Sequence, residues 1–349
     1  MKRGKILFLV LAFVAVAGFV YAQADPYKVF NQYRAAAKAG KPYPGAPLKG
    51  KVIGFANIYG TLPFCIDVEN SIKAQLKLAG GDLSKGWISM DNQYDAVLGL
   101  KNADIMLSKK PSAFIEFQAD AKANYVIGAK FGAAKIPIVA IDVAVPGAPF
   151  MGTNNYKAAV MAGHEMAKLI RKKWGGWDGV DMVALAQMPA GGTEVMLRST
   201  GIVDALAEEF GIEKNDPKIV LFDGGMGQAE QAKAGMDDVL AAHPDAVKIA
   251  MSSVNEQTMG GLIAAVQGAG RWDPDNKIVV TFGVDDLGKS QIRDGLSDGG
   301  IAYFPEHYGE YVIPAVAAIL TGNAVPAYIF TENEVVNLSN VDKWYPKKK

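Results

Sequence analysis

Disulfides are the first feature this sequence excludes. Its 349 residues include one cysteine, Cys65. No bridge can form within the chain, so stability rests on core burial, with Cys65 read as a small buried hydrophobe. Neither charge is in excess, with 36 basic and 36 acidic residues. That balance argues against a nucleic-acid partner, which needs a basic face. Three histidines, unclustered, leave hydrolytic catalysis little to work with and suggest no metal site. No cofactor signature survives inspection. GGMG at 224–227 opens a helix after a strand, but Glu230 replaces the third glycine of a dinucleotide fingerprint. His164-Glu165 lacks the second histidine of a zinc helix, and there is neither a phosphate loop nor a Gly-x-Ser-x-Gly elbow.

Long apolar runs are also scarce. The one example, residues 6–21, follows the basic stretch MKRGK and precedes Ala22-Gln-Ala24, a small-x-small pattern. This predicts an export signal (1–24) cleaved after Ala24 and a periplasmic mature protein. An uncleaved anchor is the alternative, but the run is shorter than the ~20 apolar residues a spanning helix needs. No cysteine follows the signal to take a lipid.

What the chain does contain is a repeated plan. Its length exceeds the roughly 250–300 residues at which single cores stop growing, so two lobes are expected. Residues 25–50 form an N-terminal extension, with a short helix over 27–39 and the Pro/Gly-rich linker KPYPGAPLKG. Short apolar runs then alternate with amphipathic ones: KVIGFAN, SAFIEF, IPIVAID, DMVALAQ, KIVLFD, AVKIAMS and KIVVTFGVD as strands, and 64–78, 121–134 and 155–172 as helices. Such alternation means βαβ units and a parallel sheet. The halves echo each other, AAKIPIVAIDVAVPG pairing with DNKIVVTFGVDDLG. The fold class is therefore α/β, with two doubly wound parallel-sheet lobes.

Ligands of such sheets bind outside the carboxyl ends of the strands. The residues there are Asn57, Tyr59, Asp91 to Gln93, Glu116 to Gln118, Asp142, Gln187, Asp223, Ser252, Ser253, Asn255, Asp285, Asp286 and Tyr303. Carboxylates, amides, hydroxyls and aromatics suit a guest with many hydroxyls and apolar ring faces, a sugar or polyol. Asp at a strand end is also a common helix cap. We read Asp286 as a cap or a solvated acid, and Asp142 and Asp285, equivalent in the two halves, as ligand groups facing one cleft. Asp91, Asp223 and Glu116 stay open between the two roles.

PF in TLPFCIDV, then DNQ, AID, GTNN, AGGTEVMLRSTG, MSSVNEQTMGG, FGVDD and AYFPEHYG occur in an order that resembles the periplasmic sugar-binding proteins of ABC importers. This ribose/galactose-type group shares its type I fold with the ligand core of lactose-repressor-like regulators. The resemblance covers roughly residues 51–338. It implies a three-stranded hinge near Gly152-Thr153, Tyr303-Phe304 and Phe330-Thr331, and lobes of 51–153 plus 304–330 and 154–303 plus 331–343, before a tail of 344–349. It implies that Phe64 stacks on the sugar, that Asp142 and Asp285 accept its hydroxyls, and that Arg198, Asn255 and Tyr303 complete the site. It also implies a monomer with no enzymatic activity, partnered by a membrane permease, with a chemoreceptor as a second partner. The departures are Val143, where the family often carries arginine, and Cys65, where it carries a second aromatic. They suggest a smaller, deoxygenated or acyclic ligand, with Tyr59, Met226 and His307 as compensating contacts. Two other readings are a sugar or furanosyl-signal receptor without transport, and an extracytoplasmic carbohydrate-active enzyme using the two acids.

Overall fold

The computed structural model describes residues 25–347. The export signal lies outside the described residues. Helix α1 (Lys28–Lys38) precedes the first sheet. That lobe runs β1 (Ile53–Asn57), α2 (Pro63–Leu78), β2 (Trp87–Asp91), α3 (Ala96–Ser108), β3 (Ala113–Glu116), α4 (Ala121–Ala133), β4 (Ile138–Ile141) and β5 (Phe150–Gly152). The chain then crosses over. It builds α5 (Asn155–Trp174), β6 (Met182–Gln187), α6 (Gly192–Phe210), β7 (Ile219–Asp223), α7 (Ala229–Ala242), β8 (Ile249–Ser252), α8 (Glu256–Gly268), β9 (Lys277–Gly283), α9 (Asp286–Arg293) and β10 (Gly299–Ala302). It returns for α10 (Gly309–Leu320) and β11 (Tyr328–Phe330), then crosses again to β12 (Glu334–Asn337) and α11 (Val341–Trp344).

Two six-stranded sheets result, ordered β11-β5-β4-β3-β1-β2 and β12-β10-β9-β8-β6-β7. The pairing is parallel except for β12, which joins β10 antiparallel at the edge. Central strands such as β1 and β9 are buried along their whole length. That explains why they read as continuous apolar runs: helices cover both faces of a parallel sheet. In both orders the sequence reverses direction around the first strand of the lobe, so each sheet has a switch point beside β1 or β6. The crevices at these points face each other, and Thr153 Oγ1 and Thr331 Oγ1 lie 3.2 Å apart where two of the crossing segments run together.

The extension is not a loose preamble. Helix α10 is apolar around most of its circumference and is sandwiched between the sheet, α2 and α1. Phe30, Tyr33 and Ala37 on one face of α1 are buried in that core. Sealing each of these aromatics from water is worth about 1.5–3 kcal/mol. The segment read as a linker is stitched down as well. Tyr43 N–H donates to Leu78 O at 2.9 Å, Leu48 N–H to Ala79 O at 3.0 Å, and Tyr43 Oη to Gln75 Oε1 at 3.0 Å. Its prolines and glycines shape a strap that covers α2, because Tyr43 and Leu48 supply the apolar anchors.

Candidate functional site

A cavity with about 660 Å³ of empty space lies between the two crevices. Both lobes wall it. From the first come Ile58, Leu62, Phe64, Tyr94, Phe117 and Asp142, and from the second Met188, Arg198, Asn255, Glu256, Phe282 and Tyr303, among others. The lobes meet beside it in a small apolar seam of Ala121, Val143, Met188, Val195 and Val254.

Asp142 is the first residue beyond β4 and holds φ at +57°. This left-handed conformation turns the side chain into the crevice, and aspartate tolerates it better than most residues. The backbone of Gly152 passes so close that a Cβ there would sit 2.4 Å from Asp142 Oδ1, so only glycine fits beside the carboxylate. Tyr308 Oη donates to both carboxylate oxygens, at 3.1 and 3.3 Å. Burial pushes the Asp142 carboxyl up to about 6, against the opposing pull of Arg198 and the Tyr308 hydroxyl.

Arg198 reaches across from α6. Its Nε donates to Asn155 Oδ1 at 2.7 Å and its Nη1 to Val254 O at 2.6 Å. The guanidinium carbon lies 5.2 Å from the centre of the Tyr303 ring. These bonds fix the plane of the fork and leave Nη2 unused. The Tyr303 hydroxyl is buried and has no partner. Burial raises its pKa, so it stays a neutral O–H, available as donor or acceptor.

Phe64 sits in the first turn of α2, edge-on to Tyr308 with ring centres 5.6 Å apart. Asn255 caps α8, its Oδ1 accepting from Thr258 N–H at 2.8 Å, while its Nδ2 donates to Gly227 O at 3.1 Å. Phe64, Asp142, Arg198, Asn255 and Tyr303 are thus gathered around one cavity.

Asp285 is not among them, and this corrects the sequence reading. It is fully buried as the cap of α9: its Oδ1 accepts from Leu287 N–H at 2.9 Å and Gly288 N–H at 3.1 Å, and its Oδ2 from Gln257 Nε2 at 3.0 Å. The cap is Asp285, not Asp286, which pairs with Lys289 on the surface. The reason is a one-residue offset between the halves. By backbone conformation the counterpart of Asp142 is Val284, the first residue beyond β9, with φ at +58°. A single step along the chain sends a side chain in a different direction. Asp285→Ala should therefore lower stability by about 0.5–2 kcal/mol, the value of a cap, while Asp285→Asn keeps the cap and most of that stability. Denaturant melts check this. An unchanged midpoint with lost ligand affinity in the alanine variant would return Asp285 to the ligand.

The acid that the second lobe does bring to the cavity wall is Glu256, beside Asn255. Its Oε1 accepts from Val284 N–H. Burial first, then the charge of Asp285, pushes its carboxyl well above the usual range, which favours the neutral acid. Gly283, at φ +115°, leaves room for this carboxyl, where a Cβ would come within 2.7 Å of Oε2. As the first residue of a helix Glu256 carried no separate signal in the sequence. Tyr59 does not wall the cavity. It stands behind Tyr94, ring centres 5.6 Å apart, and Tyr94 takes the wall position. His307 is on the hinge side, bonded to Glu310 at 2.8 Å, and lines a different surface hollow. Met226 packs against the first lobe's core. Glu116 is buried beneath the cleft with neither oxygen bonded, and burial raises its pKa strongly.

Among the described residues no group of histidine, cysteine or acidic side chains is placed to hold a metal ion, and no helix is long and apolar enough to cross a membrane.

No protein of curated function matches the sequence. Solved structures do match in fold. An ABC transporter solute-binding protein from Mycobacterium smegmatis with bound glycerol has a TM-score of 0.71 at 22% identity, covering 85% of this chain and 98% of its own. One from Actinobacillus succinogenes with bound D-allose has a TM-score of 0.67 at 18% identity, covering 84% and 99%. One from Bacillus halodurans with bound myo-inositol has a TM-score of 0.69 at 18% identity, covering 86% and 99%. Residues 53–324 match the periplasmic binding protein domain family, a span that runs from β1 to just past α10. The chain belongs to the periplasmic binding protein family, with the type I arrangement of two α/β lobes.

Proposed function

We propose that the chain is an extracytoplasmic solute-binding protein that captures a neutral sugar or polyol between its lobes and delivers it to the permease of an ABC importer. The observation that carries this is the cavity shared by both lobes, with Asp142 on one wall and Arg198 on the other. A solute bonded to both holds the lobes together. Since only differential affinity shifts a conformational equilibrium, contacts from both lobes select the closed form. Asp142 accepts hydroxyls, Arg198 and Tyr303 offer donors, Phe64 packs against C–H surface, and Asn255 holds the helix beside the cavity. Similar proteins bind glycerol, D-allose and myo-inositol, which are neutral and hydroxylated. Residues 1–24 serve as the export signal, cleaved after Ala24, and the mature protein works as a periplasmic monomer with no chemistry of its own. A permease, or a chemoreceptor, reads the closed form.

Native mass spectrometry of freshly purified protein, then a thermal-shift screen of pentoses, hexoses, deoxysugars and polyols, tests this. A cognate solute at 100 times its Kd should add about 2.7 kcal/mol of stability. A flat response across the whole panel would overturn the proposal.

A further inference from the structure

The cavity is polar at few points, and most of its polar groups are already engaged. Nine residues of the first lobe line it, and Asp142 is the one that carries a charge. Ile58, Leu62, Phe64, Phe117 and Val143 present hydrocarbon. On the opposite wall both ends of the Asn255 amide are bonded, to the α8 backbone and to Gly227 O. Gln257 donates to Asp285, and Glu256 accepts from Val284 N–H. What remains for a guest is the Asp142 carboxylate, Nη2 of Arg198 and the unpartnered Tyr303 hydroxyl. These three lie together: the guanidinium stands over the Tyr303 ring, and its charge acts on Asp142.

We infer that the solute is polar on one edge only: a deoxygenated sugar or short aliphatic diol whose hydroxyls meet Asp142, Arg198 and Tyr303 and whose methyl or methylene face packs on Ile58, Leu62, Phe117 and Val143. This rests on the proposed function and narrows it. A sugar hydroxylated all round buries hydroxyls against the hydrocarbon wall, where each unpaired one loses its bonds to water without replacement. Removing that hydroxyl removes the penalty and leaves the three polar contacts intact. The site thereby selects against oxygen at a defined place, and the seam residue Val143, next to Asp142 in sequence, is the position at which that selection is set.

Calorimetric titration of wild-type protein with matched pairs tests this: D-fucose against D-galactose, 2-deoxy-D-ribose against D-ribose, and 1,2-propanediol against glycerol. In the pair that binds best, the deoxygenated member should have a Kd about tenfold lower or better, the scale of one unpaired buried hydroxyl. Val143→Thr, which adds a hydroxyl at nearly constant volume, should narrow that ratio. Equal or tighter binding of the fully hydroxylated member overturns the inference and leaves the sugar-binding function standing. No binding of any member of any pair overturns both.

Discussion

Arg198→Lys should raise the solute Kd by roughly 10-fold or more, the scale of losing a hydrogen bond to a charged group. The guanidinium serves Asn155 through one nitrogen and Val254 O through another, at 2.7 and 2.6 Å, and still has Nη2 for the guest. A lysine ammonium is a point charge on a flexible stem and cannot hold these positions at once. Either Val254 O or Asn155 loses its donor, or the solute does. The arginine plane also lies over Tyr303, so its loss frees the ring that carries the unpartnered hydroxyl. Calorimetry gives the Kd, and melts of the unliganded protein separate folding from binding. An unchanged Kd would move Arg198 off the ligand.

Asp142→Asn should weaken binding by about 1.5–3 kcal/mol and flatten its pH dependence. The carboxylate accepts from Tyr308 and faces the cavity in a site where burial pushes its pKa up to about 6. Affinity in the wild type should therefore fall as pH drops through that value, because protonation removes acceptor capacity opposite the solute hydroxyls. Stability of the empty protein should move the other way. The group titrates at 3.8 in its ordinary state and at about 6 when folded. Between those values the folded chain binds more protons than the unfolded one, so stability falls as pH rises through the window and is level above it. The amide of the Asp142→Asn variant has no proton to lose in this range, and both slopes should vanish. Titrations and melts across that range check the pair of trends. A variant that keeps the wild-type pH profile of affinity would exclude Asp142 as the titrating contact.

Much of the architecture was legible from periodicity. Runs such as IPIVAID and KIVVTFG are apolar without alternation because helices cover both sheet faces, and 155–172 repeats at helical spacing because one face of α5 packs on α6. Three- and four-residue strands such as β5, β11 and β12 escaped notice. They are too short to show a period and are held by neighbours remote in sequence, as where Phe150 N–H donates to Ala327 O. The strap over α2 escaped for a related reason: its Pro/Gly content is that of a free linker, and only its contacts with Leu78 and Ala79 distinguish it.

The site divided along the same line. Asp142, Arg198, Phe64, Asn255 and Tyr303 all stand at strand ends or helix starts, where the α/β plan exposes side chains to the crevice. Asp285 stands in an equivalent stretch, yet a one-residue difference in where the backbone turns makes it a cap and puts Val284 in the place of Asp142.

The order of residues was enough to dictate two parallel-sheet lobes and the stretches of chain from which a cleft would be built, because hydrophobic periodicity is a local property that survives without coordinates. Packing in three dimensions settled which carboxylates are free and which are spent on helix ends, and that Tyr94 and Glu256 reach the cavity wall while Tyr59 and Asp285 do not. Those outcomes depend on the φ of single residues and on partners brought from distant segments, neither of which leaves a trace in the linear chain.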